Sequence, residues 1–327
     1  MAKGTVALIG AGVEVGASRL GAGMGPAALR VAGLPGALAE LGYTVEDRGD
    51  LKPGPVEGLP PPVQGLAKYP AEIVAWAREI DRAVSAALAD GAVPVVMGGD
   101  HSLAMGSVRA AARHAAAAGK PLFLLWLDAH PDFNTPATSP SGNMHGMSVA
   151  ALCGEFGLET LGELPAAPDV ASRNVLMFGI RSIDAEERRL LRERKVGVVD
   201  MRLIDEHGVV ALLQPFLARV ADAAGMLHVS LDADFVDPSV APGVGTPVLG
   251  GASYREAHLI TEVLYECGLV TSVDLVELNP FLDVRGQTAL MVTDLMCSLF
   301  GRQVYERRGS GRAYRMTSNQ AMQDTND

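Results

Sequence analysis

The stretch Leu122–Pro136, LFLLWLDAHPDFNTP, decides how this chain folds and where its chemistry lies. Six apolar residues, Leu122 to Leu127, read as a buried strand, and the chain then turns abruptly to Asp128, His130 and Asp132. Alternate residues of extended chain share a face, so the three polar groups point the same way. Two carboxylates and an imidazole at a strand tip do not make a core. They do suit a divalent first-row ion, which takes hard oxygen ligands and a borderline nitrogen. A polar loop could hold the same residues by chance, and one short motif does not separate the two readings.

Recurrence does. HVSLDADF at 228–235 reads as another apolar strand, ending in Asp232 and Asp234 on one face, with His228 and Ser230 placed to brace them. Val93–Met97 leads into Gly98-Gly99-Asp100-His101-Ser102, where the glycines permit a tight turn presenting His101. Ser272–Val276 ends in Glu277, and Val175–Gly179 leads to Arg181 and Asp184. Five strands finish in polar side chains at their carboxyl ends, which is where sites assemble in an open parallel sheet.

Between these strands the apolar spacing is helical. Helices are expected over 27–41 with a break at Gly33-Leu34-Pro35, and over 71–90, 103–118, 185–194, 209–224, 253–267 and 286–300. Thr5–Ile9 adds a strand, and the proline-rich 53–62 reads as a surface connection. The expected fold is one α/β/α domain of three layers, residues 1–305, around a parallel, doubly wound sheet. Residues 306–327 are polar and are expected to be a mobile tail or a subunit contact.

The 327 residues are 48% hydrophobic, ample for a large core, and the formal charge of −11 argues against nucleic acid or an anionic membrane as partner. Cys153, Cys267 and Cys297 are odd in number and widely spaced, which points to reduced thiols and a cytoplasmic setting. The start of the chain lacks the pattern of a signal peptide, and no run has the apolar length of a membrane helix. Gly10, Gly12 and Gly16 follow a strand, but Val15 stands where a dinucleotide fingerprint needs its third glycine. That loop is expected beside the site or at a subunit contact. His114 and His258 lack acids at strand-tip spacing, whereas His207 follows Asp205 and Glu206 but is expected in a turn at Gly208; all three read as surface or structural, and Trp76 and Trp126 read as core.

GGDHS at 98–102, DAHPDFNTPATSPSGNMHG at 128–146, SLDADFVDPSVAPGVGTPVLGG at 230–251 and VELNP at 276–280 together resemble the ureohydrolase family. The second block is similar to arginases in particular, most of all bacterial ones. The resemblance runs in matching order from about residue 5 to 305. It implies two Mn²⁺ ions, one held by His101, Asp128, Asp132 and Asp232, the other by His130, Asp128, Asp232 and Asp234. A hydroxide between the metals, oriented by Asp132, would attack a guanidinium carbon held by Glu277, and His145 would carry the proton to the leaving amine.

The implied substrate is L-arginine, hydrolysed to L-ornithine and urea. Asn134, Ser139 and Ser141 match carboxylate-recognising positions, and Asn143 is a further neutral donor in the same loop. Asp184 matches the group that meets the α-amine, with Glu187 close by, and Thr246 is placed to line the pocket. Ser182 departs from arginases that carry an acid there. Alternatives are a ureohydrolase for hydroxyarginine, guanidinobutyrate or agmatine, or a metal-binding regulatory protein without turnover. The resemblance also implies a homotrimer or homohexamer with Arg255 near an interface.

Overall fold

The computed structural model describes residues 3–54, 67–156 and 169–305; the expected tail and most of the 53–62 connection lie outside them. The described strands are β1 (Lys3–Ala11), β2 (Tyr43–Asp50), β3 (Val93–Gly98), β4 (Leu122–Leu127), β5 (Val175–Ile180), β6 (Gly197–Asp200), β7 (Met226–Asp232) and β8 (Val270–Val276). The helices are α1 (Gly25–Val31), α2 (Leu34–Glu40), α3 (Pro70–Ala89), α4 (Ala104–Ala117), α5 (Ser148–Leu152), α6 (Ala185–Arg194), α7 (Met201–His207), α8 (Val209–Asp222), α9 (Tyr254–Cys267) and α10 (Gln287–Leu299).

The strands form one sheet in the order β2-β1-β3-β8-β7-β4-β5-β6, and every pair is parallel. Parallel neighbours need long crossovers, so helices cover both faces and the central strands are apolar throughout. β4 shows the consequence. Phe123, Leu125 and Leu127 join the core under α8, α9 and α10, while Leu122, Leu124 and Trp126 join the opposite core under α4, α5 and α6. In β1, Val6 and Leu8 face the first core and Ala7 and Ile9 the other side, against α3 and α4.

The order of strands matters more than their number. β7 and β8 fill the gap between β3 and β4, so the carboxyl ends of β3, β8, β7, β4 and β5 stand side by side. These are the five strands whose tips carry the polar motifs.

Three expectations need correction. The strand expected over 228–235 is Met226–Asp232, and Asp234 lies in a 3-10 turn, Ala233–Phe235. Asp128, His130 and Asp132 likewise follow the end of β4 in bends and irregular chain rather than extended strand. Their convergence is therefore the work of turns, not of strand alternation. His207, expected in a turn, closes α7. The sequence reading also missed β2, β6, α5 and α7. β2, YTVEDRGD, is a partly exposed edge strand, and β6 has four residues, too few for a pattern. Among the described residues, no helix is long and apolar enough to cross a membrane.

Candidate metal centre

One local device recurs at three strand tips. After β4, Asp128 Oδ1 accepts the His130 backbone N–H at 2.7 Å; after β7, Asp232 Oδ1 accepts that of Asp234 at 2.7 Å. After β3, Asp100 Oδ1 accepts the Ser102 N–H at 3.0 Å. An aspartate bonded to the backbone two residues on closes a tight turn and lets the chain leave the strand at once. Asp132 and Glu277 have positive φ, 49° and 61°, a costly backbone for residues with a Cβ. Strain of this kind persists where surrounding bonds over-determine it. Here the Asp132 carbonyl accepts the Val149 N–H at 3.0 Å, and the Glu277 N–H donates to the Gly99 carbonyl at 2.8 Å.

The turns deliver two overlapping groups of ligand atoms, His101–Asp128–Asp232 and Asp128–His130–Asp234. His101 Nδ1 lies 3.0 Å from Asp128 Oδ2, 3.2 Å from Asp232 Oδ2 and 3.4 Å from Asp132 Oδ2. His130 Nδ1 lies 3.1 Å from Asp234 Oδ2 and 3.5 Å from Asp128 Oδ1. All six residues singled out in the sequence as metal ligands are thus brought together. Asp128 is common to both groups, Asp232 falls in the first, and Asp132 stands beside them.

His101 is held on its other side by Ser230, whose Oγ is 2.8 Å from Nε2, and it stacks on Trp126 with ring centroids 3.7 Å apart. Fixing the outer nitrogen fixes which nitrogen faces inward. His228, expected to brace the ligands, instead pairs with buried Asp274 at 2.9 Å.

The residues present fit a pair of divalent cations. His101 Nδ1 and Asp128 Oδ2 are buried and lie 3.0 Å apart, yet neither makes a well-formed hydrogen bond. Burial raises the pKa of Asp132, Asp232 and Asp234, and the charge of neighbouring aspartates adds to it. For Asp128, burial is outweighed by the close approach and charge of His101 and His130, which hold the carboxyl low. A cluster of this kind resists ionisation on its own; cations at its centre reverse the balance.

A cavity opens beside the cluster, and its lining includes His130, Asp132, Asp232 and Thr246 together with Asn134, Ser139, Ser141, Asn143, Asp184 and Glu187. Ser182 and His145 also line it. Several of the expected substrate contacts already hold one another. Asn134 Nδ2 donates to Asp184 Oδ2 at 3.0 Å, and its Oδ1 accepts from Thr138 Oγ1 at 3.0 Å. Ser139 Oγ accepts the Gly142 N–H at 2.9 Å, and Ser141 Oγ that of Asn143 at 3.2 Å. Thr246 Oγ1 donates to Asp234 Oδ2 at 3.0 Å.

Glu187 differs in kind. Its Oε1 accepts the Phe133 N–H at 2.8 Å and its Oε2 the Asp184 N–H at 3.2 Å, so it ties the start of α6 to the loop after β4. Burial pushes its carboxyl up to about 7 against the pull of those two N–H groups. Glu277 Oε1 accepts the His101 N–H at 2.9 Å and sits 2.8 Å from His145 Nδ1. Burial disfavours the charged imidazole of His145, but the charge and hydrogen bond of Glu277 outweigh it and raise the pKa.

Asp100 was given no role by the sequence, whereas Gly16 stands in the loop expected beside the site. Asp100 Oδ2 accepts the Gly16 N–H at 2.7 Å, and the Gly16 carbonyl accepts the His145 N–H at 3.2 Å. Gly16 is therefore a bridge from the β3 tip to His145, and a Cβ there would lie 2.7 Å from Asp100 Oδ1. The signal was the acid inside GGDHS, which stands next to the ligand yet takes no part in either ligand group.

A dependence on pH follows. Without metal, Asp132, Asp232 and Asp234 have folded-state pKa values above their unfolded ones, so their contribution is lost as pH rises through the folded values. The raised pKa of His101 acts in the same direction as pH rises above its ordinary value of 6.5. Metal binding takes the ionised ligands and so opposes the loss. The gain in Tm on adding Mn²⁺ to chelator-stripped protein should therefore be larger at pH 8 than at pH 6. At a hundredfold excess over Kd the linkage is worth about 2.7 kcal/mol per site. Equal gains at both pH values, or none, would contradict the assignment.

Comparison with known proteins agrees with this geometry. The arginase family model matches residues 4–301. An arginase of Agrobacterium fabrum is 50% identical over 303 residues, covering 93% of each chain. The crystal structure of an arginase from Bacillus cereus superposes with a TM-score of 0.85 at 39% identity, covering 93% of this chain and all of that one. An Entamoeba histolytica arginase solved with L-ornithine gives a TM-score of 0.82 at 25% identity, covering 92% and 100%. The chain belongs to the arginase family.

Proposed function

We propose that this protein is a binuclear manganese hydrolase that converts L-arginine and water to L-ornithine and urea. The observation that carries the reading is the cavity itself. It joins a carboxylate-rich metal centre, suited to a cationic guanidinium, to a loop of neutral donors and an aspartate, suited to an α-carboxylate and an α-amine. The relatives named above are arginases, and one of them was solved with L-ornithine bound.

His101, Asp128, Asp132, Asp232, His130 and Asp234 would hold two Mn²⁺ ions, an oxygen-rich set with two imidazoles. When bound, the pair supplies a water acidic enough to attack near neutral pH. Asp132 orients that attack by accepting a hydrogen bond. Glu277 pairs with the guanidinium fork to fork, displacing its contact with His145. His145, freed from Glu277, gives a proton to the departing amine of ornithine and regains it from solvent. Asn134, Ser139, Ser141 and Asn143 receive the α-carboxylate directly or through water, and Asp184 the α-amine. Glu187 acts by holding Asp184 and the loop after β4 rather than by reaching the substrate.

One observation favours a broader guanidino substrate. Both prongs of the Asn134 amide are engaged by Asp184 and Thr138, and Ser182 offers no charge to the amine. Urea release from L-arginine, agmatine and guanidinobutyrate separates the readings. A site whose buried donors lose their partner with agmatine can discriminate by about 10⁴, so kcat/KM should favour L-arginine by orders of magnitude. In the same assay His145→Ala should lose about 10²–10⁴ in kcat while keeping its metal. Agmatine turned over as well as arginine, or an unimpaired His145→Ala, would overturn the corresponding assignment.

Assembly belongs to the same reading. Arg255, at the start of α9, is two-thirds exposed and has a long 3.4 Å contact with Glu262, which leaves it available to a neighbouring copy. A trimer or hexamer is expected by light scattering; a monomer at working concentration would refute it.

A further inference from the structure

Asn143 lines the cavity, and its Oδ1 accepts two hydrogen bonds, from Lys68 Nζ at 3.0 Å and from Ser18 Oγ at 2.9 Å. The two prongs of an amide have nearly the same shape, and a serine hydroxyl, which both donates and accepts, does not distinguish them. A lysine ammonium has three donors and no acceptor. The prong beside Lys68 is therefore the oxygen, and the other prong carries two N–H donors. The lysine is also tied by main chain to the same loop, since its backbone N–H donates to the Gly142 carbonyl at 2.8 Å. Gly142 has a φ of 72°, a left-handed turn that brings Asn143 round, and its own N–H is held by Ser139.

The charge balance gives this arrangement a purpose. Once cations balance the metal-binding aspartates, the cavity wall still carries the carboxylates of Asp184 and Glu187. In a chain of net charge −11, an anionic group entering there meets a negative field. Lys68 places a positive charge on the back of the one amide whose donors are left for the occupant.

We propose that Lys68 is a specificity-determining positioning residue. By holding Asn143 Oδ1 from behind, it turns Nδ2 toward the cavity and presents two donors, backed by a cation, to the carboxylate of an α-amino acid. The inference rests on L-arginine as substrate and adds a residue through which the carboxylate is selected. Lys68 does not touch the reacting atoms, so its effect falls on binding of the carboxylate and not on turnover.

Lys68→Met keeps the stem and removes the donor and the charge; Lys68→Arg keeps both. With metal-loaded protein, Lys68→Met should raise KM for L-arginine about tenfold, what a charge-assisted hydrogen bond at a partly exposed edge is worth. Its kcat should change by less than about twofold on the same grounds, and kcat/KM for agmatine, which has no carboxylate, should shift no further. Calorimetry should show a matching loss of L-ornithine affinity, and Lys68→Arg should restore most of both. A wild-type protein that does not prefer arginine to agmatine overturns the arginine reading and this inference with it. A wild type that does, with the preference intact in Lys68→Met, overturns this inference alone. Equal losses on arginine and agmatine would also overturn it, as a general structural defect.

Discussion

Four carboxylates, those of Asp128, Asp132, Asp232 and Asp234, are buried within one cluster at the carboxyl ends of β4 and β7, and their mutual repulsion is the constraint on which the rest of the structure turns. Removing a carboxylate from water is costly, and gathering four multiplies the cost. Two imidazoles offset part of it, but His101 Nδ1 and Asp128 Oδ2 remain buried without a well-formed hydrogen bond. Two divalent cations would satisfy both the charge and the orphaned atoms. The centre is thus stabilised by what it binds, and its shape is set in advance by the turns.

Preorganisation comes from the sheet. Because β7 and β8 are inserted between β3 and β4, residues distant in sequence arrive at adjacent strand tips. The strands themselves are buried on both faces and leave little freedom, so each tip is fixed before the chain turns. The aspartate-closed turns at Asp100, Asp128 and Asp232 then aim the next side chains. Two residues in left-handed backbone, Asp132 and Glu277, show where the scaffold bears strain to aim a carboxylate. From the same frame Gly16 and Asp100 reach His145, and Glu187 holds Asp184, so the proposed chemistry rests on braces that touch no substrate.

Much of this was readable in the sequence, for a physical reason. A strand buried on both faces is a continuous apolar run, and acids or imidazoles at its end contrast sharply with it. Asp128, His130, Asp132, Asp232, Asp234, His101 and Glu277 all stood out on that contrast. The route by which they converge did not, because alternation in extended chain and an aspartate-closed turn bring residues i and i+2 together alike. Edge strands such as β2 lack the apolar run and went unseen. Contacts between separate loops leave no local trace: Lys68 and Asn143 lie 75 residues apart, and Gly16 and Asp100 lie 84 apart.

Asp128 belongs to both ligand groups, and metal stoichiometry tests that double role most directly. Protein loaded with Mn²⁺, freed of excess by dialysis and measured by elemental analysis should hold two ions per chain. Asp128→Asn, which removes a charge common to both ligand groups, should fall below one, whereas Asp234→Asn, which touches one group, should retain one. Two ions retained by Asp128→Asn, or a fully active wild type holding none, would contradict the account.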